Sequence, residues 1–186
     1  MSYSTRGDAF ARGCEYLLMV QRLALEPKMV DVMDNLRDRI PICTFVGENI
    51  QKINNLLNTH LQACHECFHP QERKTMQIFA VPLAQPFGLD GICNIFTTPI
   101  TIFVDVGRVV PENWLHVVAH EYAHAHLGES GHSQRFGSVL SHLCLGLGLE
   151  PPCWEIGKEV SLRSWPYCES TKDPLEFWLG SQRVWA

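Results

Sequence analysis

The middle of the chain, residues 114–128, reads WLHVVAHEYAHAHLG and decides the fold. This stretch is strongly apolar, and the run VVA stands directly before the pattern HEYAH. Pro111 and Glu112 are typical of the first turn of a helix, while Gly128 is typical of the residue that ends one. We therefore predict a buried helix that begins at Pro111 and runs to about Leu127.

The His-Glu-x-x-His pattern on this helix has the spacing of a metal site. His120 and His124 are four residues apart, so their imidazoles lie on one helix face and can reach the same ion. Glu121 stands beside the first histidine and can reach a metal-bound water without occupying a ligand position. We predict one catalytic zinc ion here, with Glu121 as the general base.

A catalytic zinc ion usually has three protein ligands, so a third must come from nearby. The candidates close to the pattern are His116, His126, Glu129, His132 and His142. His132 is favoured because Gly128 and Gly131 let the chain turn back, which brings the first turn of the next helix toward the metal. His142 is expected to pack against the active helix or to support the site.

Helices and a small sheet are expected on either side of this segment. N-terminal helices are predicted within residues 8–69. The first region spans 8–39 in two pieces that are separated at Pro27, and Pro41 ends it. The next helix spans 47–67. A further helix over 133–146 should support the active helix. The predicted strands are Thr75–Val81, Ile92–Phe96 and Ile100–Val106.

These elements predict an α+β fold in a single domain, residues 1–186, with a small, mainly antiparallel sheet packed on the active helix. The sheet and the catalytic core occupy residues 75–146, and an irregular aromatic segment with one short helix occupies 150–186. Hydrophobic residues make up 46% of the chain and charged residues 19%, which suits a chain that buries a core.

Charge and hydropathy exclude several classes of partner. The formal net charge is −5, and Lys and Arg form no stripe, so no nucleic-acid partner is evident. No run of 18 apolar residues is present, and the N-terminus lacks the features of a signal peptide. We therefore expect a cytoplasmic protein without a membrane span, in which the eight cysteines are mostly thiols. The oligomeric state is not predicted.

The segment HEYAHAHLGESGHSQRF resembles the metal-binding segment of the SprT-like, WLM and related small metallopeptidases, the minigluzincins. The likeness consists of His-Glu-x-x-His, a short loop, and a third histidine followed by a small residue and an aromatic, here His132, Ser133 and Phe136. It covers roughly residues 75–146. The resemblance implies a zincin-like fold, a zinc ion bound by three histidines, and hydrolysis of peptide bonds.

Two related ligand patterns fit less well. The metzincin pattern requires glycine and histidine where this chain has Leu127 and Ser130. Gluzincins with a downstream glutamate as third ligand would use Glu150 or Glu155.

The expected activity is hydrolysis of a protein or peptide substrate by a zinc-activated water. The alternatives are a zinc-dependent hydrolase or modifying enzyme that acts other than by proteolysis, and a non-enzymatic zincin-like binding protein. Candidates for a group that supports the site or stabilises the transition state are His142, Tyr167 and Arg135. The strand with Ile100, Ile102 and Val104 is either an ordinary core strand or the sheet edge that holds a peptide substrate.

Two other features have more than one interpretation. Cys64, Cys67 and His69 could bind a second, structural zinc ion with Cys43 or Cys93, but a pair of ordinary thiols is favoured because no second Cys-x-x-Cys follows. The aromatic C-terminal residues are expected to pack over the sheet and helices, or else to cover the cleft as a lid; they are Trp154, Trp165, Tyr167, Phe177, Trp178 and Trp185.

Overall fold

The computed structural model describes residues 3–31, 36–154 and 160–181. It has an α+β fold with a three-stranded mixed sheet and several helices, so the α+β class of the prediction is confirmed. The elements are α1 (Tyr3–Leu23), α2 (Leu36–Glu66), β1 (Met76–Ala80), β2 (Gly91–Asn94), β3 (Ile100–Val104), α3 (Trp114–Leu127), α4 (Gln134–Leu147), α5 (Val160–Arg163) and α6 (Pro174–Trp178). Within these residues no helix is long and apolar enough to cross a membrane.

The N-terminal helices differ from the prediction at both prolines. Pro27 begins a short 3-10 turn rather than a second long helical piece. Pro41 does not end a helix but lies inside α2, which begins at Leu36. A proline so near the start of a helix removes a single backbone hydrogen bond, and burial of Ile42 and Val46 directly after it offsets that loss.

Helices α1 and α2 pack antiparallel with their backbones in close approach. A Cβ atom at Gly13 would lie 1.8 Å from the carbonyl oxygen of Cys43, and one at Gly47 would lie 1.8 Å from that of Ala9. These two glycines therefore set the distance between the helices.

The sheet order is β1-β3-β2, so β3 is the central strand. Strands β1 and β3 run parallel, whereas β2 and β3 form an antiparallel pair, and the predicted mainly antiparallel sheet is corrected to a mixed one. The interpretation of Ile100, Ile102 and Val104 as a substrate-holding edge is wrong, because β3 has a partner on each side. The continuous burial of residues 101–104 is the pattern of a strand covered on both faces.

Helix α3 runs through the core between the sheet, α2 and α4. The prediction for it is confirmed: a 3-10 turn opens at Pro111, α3 ends at Leu127, and Gly128 follows with φ of 72°. Ten of its residues are buried, Trp114, Val117, Val118 and the whole run Ala119–Ala125. The supporting helix is also confirmed, and Ser133 caps it by accepting a hydrogen bond from the backbone N–H of Phe136.

The C-terminal segment is more regular than predicted. It contains α5 and α6 rather than one short helix. Phe177 and Trp178 on α6 are buried in the main core, which confirms the packing interpretation for these two aromatics. Trp185 lies outside the described residues.

Asp105, directly after β3, joins three parts of this fold. It is 2% exposed, and its carboxylate accepts hydrogen bonds from the backbone N–H groups of Leu83 and Gly107 and from the indole N–H of Trp178. Burial raises its pKa to about 6, and the three donors oppose that rise. The carboxylate thus ties α6 and two loops to the end of the central strand.

Asp105→Asn is expected to lower the free energy of unfolding by about 1–3 kcal/mol. An amide cannot accept on both sides, so one buried donor loses its partner. Urea denaturation followed by circular dichroism measures this change. The matched control is Asp8→Asn on the exposed surface of α1, which should have no measurable effect. Equal midpoints for the two variants would contradict the role of Asp105.

Candidate metal centre

Three histidines converge between α3 and α4. His120 and His124 lie one turn apart on α3 and are 8% and 7% exposed. His132 belongs to the loop that joins the two helices and stands directly before the cap of α4. One ring nitrogen from each histidine lies within 4.8 Å of the others, and the described residues contain no other such group of three histidine, cysteine or acidic ligands.

The three histidines could hold a metal ion and leave one ligand position open. Zinc–nitrogen distances of about 2.0–2.1 Å in a tetrahedral site place two ligand nitrogens roughly 3.4 Å apart. The Nε2 atoms of His120 and His132 are 3.1 Å apart, which is close to this value. Three imidazoles leave the fourth position for a water or substrate atom.

Neighbouring groups orient the rings. The Nδ1 atom of His124 is 2.9 Å from the backbone carbonyl oxygen of Glu129, an arrangement that leaves Nε2 as the nitrogen available to a metal ion. Nδ1 of His120 is buried without a partner in strict hydrogen-bond geometry, although the backbone of Trp165 is close enough to raise the pKa of this ring. Phe136 packs against all three rings, with centroid distances of 4.4 to 5.0 Å.

The protein environment favours the neutral imidazoles that bind metal. Burial, with a smaller contribution from neighbouring charges that include His124, lowers the pKa of His120 to about 3 and that of His132 to about 4. Burial also lowers the pKa of His124. All three rings are therefore neutral at pH 7 and can offer a lone pair to a cation.

Glu121 lies between α3 and the edge strand β2. Its side chain is 7% exposed, and burial, followed by the charge of Asp90, raises its pKa to about 8. A Cβ atom at Gly91 would lie 3.0 Å from Cγ of Glu121 and 2.8 Å from Cγ1 of Val117. Glycine at this position of β2 is thus what lets the strand approach the carboxylate.

The histidines and Glu121 open into a cleft of about 580 Å³. Helix α3 forms its floor, β2 with the turn before it forms one wall, and residues 163–168 form the other. Seven of the seventeen remaining lining residues have large apolar side chains, namely Leu25, Leu89, Ile92, Ile95, Val117, Trp165 and Pro166. A buried polar floor with apolar walls is typical of a substrate-binding site.

Of the three predicted supporting residues, only Tyr167 lines this cleft. Its side chain is 96% exposed. His142 is instead exposed on α4, where its Nε2 lies 2.8 Å from the carbonyl oxygen of Cys67. Arg135 does not line the cleft but forms an ion pair with Glu129, which does and whose backbone carbonyl contacts His124. The alternative in which His142 or Arg135 acts as a transition-state donor is therefore not supported by the structure, because neither residue lines the cleft.

The other candidates for a third ligand lie elsewhere. His116 is half-buried beside Trp165, and His126 stacks on Phe68 with ring centroids 4.1 Å apart. The carboxylate of Glu129 is engaged by Arg135. Glu150 is exposed, and Glu155 lies outside the described residues.

The cysteine cluster shows packing rather than ligand geometry. Cys64 is fully buried, and burial raises its pKa. The Sγ atom of Cys67 fills the space beside Gly146 on α4. His69 is exposed and opens a short 3-10 turn. These three residues form no metal-ligand group in the part of the chain that the structure describes.

Several cleft residues are not evident from sequence motifs. The cleft is lined by β2, Trp165 and Arg163, which are distant from His120 in sequence. No local sequence pattern predicts this placement. Trp165 stacks nearly parallel to His120, at 13° and a centroid distance of 6.5 Å. Some aromatics of the C-terminal segment therefore form a cleft wall, while Phe177 and Trp178 pack in the core. The position of Gly91 could be anticipated from the sequence, because it ends the turn GLDG before the strand.

His132→Ala is expected to weaken zinc binding by at least about 100-fold, since loss of a direct ligand exceeds the effect of losing a supporting group. Competition with a chromophoric chelator measures the affinity, and elemental analysis measures the zinc content. His142→Ala, which removes an imidazole away from the centre, serves as the matched control. Unchanged affinity in the first variant would assign the third ligand to another residue.

Comparison with known proteins leaves the family open. No family model matches the chain, and neither a curated protein nor a solved structure matches it.

Proposed function

We propose that this protein is a zinc-dependent metallopeptidase with a zincin-like fold. One observation carries the proposal: three converging histidines and a buried glutamate share the floor of one cleft, beside an edge strand of the sheet. Zinc is the ion that this donor set fits, because three neutral nitrogen ligands with an open position are typical of catalytic zinc.

His120, His124 and His132 would hold a zinc ion as neutral imidazoles, so they would not neutralise its charge. The bound ion would supply Lewis-acid chemistry, which lowers the pKa of a coordinated water to about 7 and polarises a carbonyl group. The cleft walls, apolar for the most part, exclude bulk water and so strengthen electrostatic interactions at the centre. Tyr167 remains the proposed donor to the oxyanion, since it is the one of the three candidates that lines the cleft.

Glu121 is the proposed general base. It neighbours His120 in sequence and opens into the same cleft. Its carboxylate would take a proton from the attacking water and pass it to the nitrogen of the leaving amine. A nearby cation favours the ionised form of this carboxyl and opposes the effect of burial.

Strand β2 is the proposed binding edge for the substrate backbone, in place of β3. The backbone carbonyl oxygen of Asp90 accepts a hydrogen bond from the N–H of Asp105. In an antiparallel pair, the backbone N–H and C=O groups of successive residues point alternately toward the partner strand and away from it. The backbone groups of Gly91 and Cys93 therefore point away from β3. Both residues line the cleft. An extended peptide could therefore pair with this edge and pass over the histidines.

The predicted cytoplasmic location is retained as part of the proposal. All eight cysteines are free thiols, which agrees with a reducing compartment.

Glu121→Gln is expected to reduce peptide hydrolysis by about 100- to 10,000-fold while zinc remains bound, because proton transfer is lost and the ligands are intact. Cleavage of a quenched fluorescent peptide library measures the activity, and elemental analysis checks the zinc content. The matched control is Glu112→Gln, an exposed position before α3. Full activity in the Glu121 variant would exclude the general-base role.

A second candidate is a zinc-dependent hydrolase of a small molecule. The cleft volume of about 580 Å³ favours it, because this is the size of ordinary small-molecule pockets.

Substrate length separates the two candidates. If β2 binds the peptide backbone, kcat/KM should rise at least about ten-fold from blocked dipeptides to hexapeptides, since each added residue can pair with the edge. Steady-state kinetics on a matched length series measures this rise. A constant kcat/KM across the series would favour the small-molecule hydrolase.

A further inference from the structure

Arg163 stands over the cleft on a firmly anchored support. It is the last residue of α5, and the preceding Leu162 is fully buried in the main core. Leu162 packs beside Gly137 of α4, where a Cβ atom would meet its Cδ1 at 3.0 Å. Arg163 itself is exposed and lines the cleft together with His132. Its backbone position is therefore fixed relative to α4, while its guanidinium is free to meet a ligand.

The other charged side chains of the cleft wall are already paired. The carboxylate of Asp90 lies 3.1 Å from Nε of Arg108, and Glu129 is paired with Arg135. Arg163 has no acidic partner among residues 3–31, 36–154 and 160–181.

The cleft also has an apolar part of its lining. Leu25, Leu89, Ile92 and Ile95 belong to it. A peptide bound in the cleft would therefore meet both apolar side chains and the guanidinium of Arg163.

We propose that Arg163 binds a carboxylate of the substrate, so that the cleft selects peptides that combine apolar residues with an acidic group. The carboxylate belongs to a glutamate or aspartate side chain or to the C-terminus of the peptide. A guanidinium matches either one, because its planar N–H groups pair with both carboxylate oxygens. This inference rests on the proposed function for the position of the peptide.

Binding to a protein that cannot turn over its ligand tests the proposal. The probes are fluorescent peptides of one apolar sequence with either Glu or Gln at each position in turn, each made with a free or an amidated C-terminus. Their dissociation constants are measured with zinc-loaded Glu121→Gln protein, alone and combined with Arg163→Ala, Arg163→Lys or Lys172→Ala. Lys172 is the matched control, because it is an exposed cation of the same segment that does not line the cleft.

We expect the best acidic peptide to bind at least about ten-fold more tightly than its neutral partner. Arg163→Ala should abolish this difference and leave the neutral peptides within about two-fold, Arg163→Lys should retain part of it, and Lys172→Ala should retain all of it. The free-acid and amidated arms show which carboxylate is bound. Zinc content and thermal melting confirm that each variant is folded.

Two results would overturn the proposal: no preference for acidic peptides in the parent protein, or a preference that persists in Arg163→Ala, as a carboxylate bound directly by zinc would give. The native enzyme is assayed for cleavage of the same peptides. Cleavage without any acidic preference would leave the metallopeptidase proposal standing and reject the role of Arg163. An Arg163-dependent preference without cleavage would support the role of Arg163 and reject the metallopeptidase proposal.

Discussion

The convergence of three imidazoles from two consecutive helices is the constraint on which the site depends. His120 and His124 share a face of α3, but His132 reaches that face only because the chain reverses within the few residues between the helices. Gly128 in the left-handed conformation ends the first helix, and the cap at Ser133 begins the second. Phe136, one turn into α4, then packs against all three rings, so the reversal and the core support each other.

Burial gives these polar groups their chemical character. Desolvation keeps the histidines neutral and opposes ionisation of Glu121, and a bound cation would reverse the second effect. The close approach of β2 through Gly91 completes this environment, because it covers Glu121 while leaving the cleft open. Strand β2 and helix α3 therefore make their close contact at Gly91, which has no side chain. This contact determines the shape of the cleft.

The C-terminal segment connects the cleft to the sheet. Its first part supplies Arg163 and Trp165 to the wall opposite β2, and its second part buries Trp178, whose indole donates to Asp105 at the end of β3. The same carboxylate accepts from the loop that follows β1. One buried acid thus fixes the tail to the central strand, and the tail in turn encloses the site.

Local patterns in the sequence were sufficient for α3, α4, the approximate strands and the three converging histidines, because periodicity, capping residues and the spacing of His120 and His124 act within a few residues. Strand order was not predictable: β3 is central because β2 and β1 pair with it from opposite sides, and pairing energy depends on residues far apart in the chain. Pro41 was misinterpreted for the same reason, since packing of α2 outweighs one lost hydrogen bond. Only the tertiary structure placed β2 and Arg163 at the cleft, because their contacts with the site are made across long intervals of sequence.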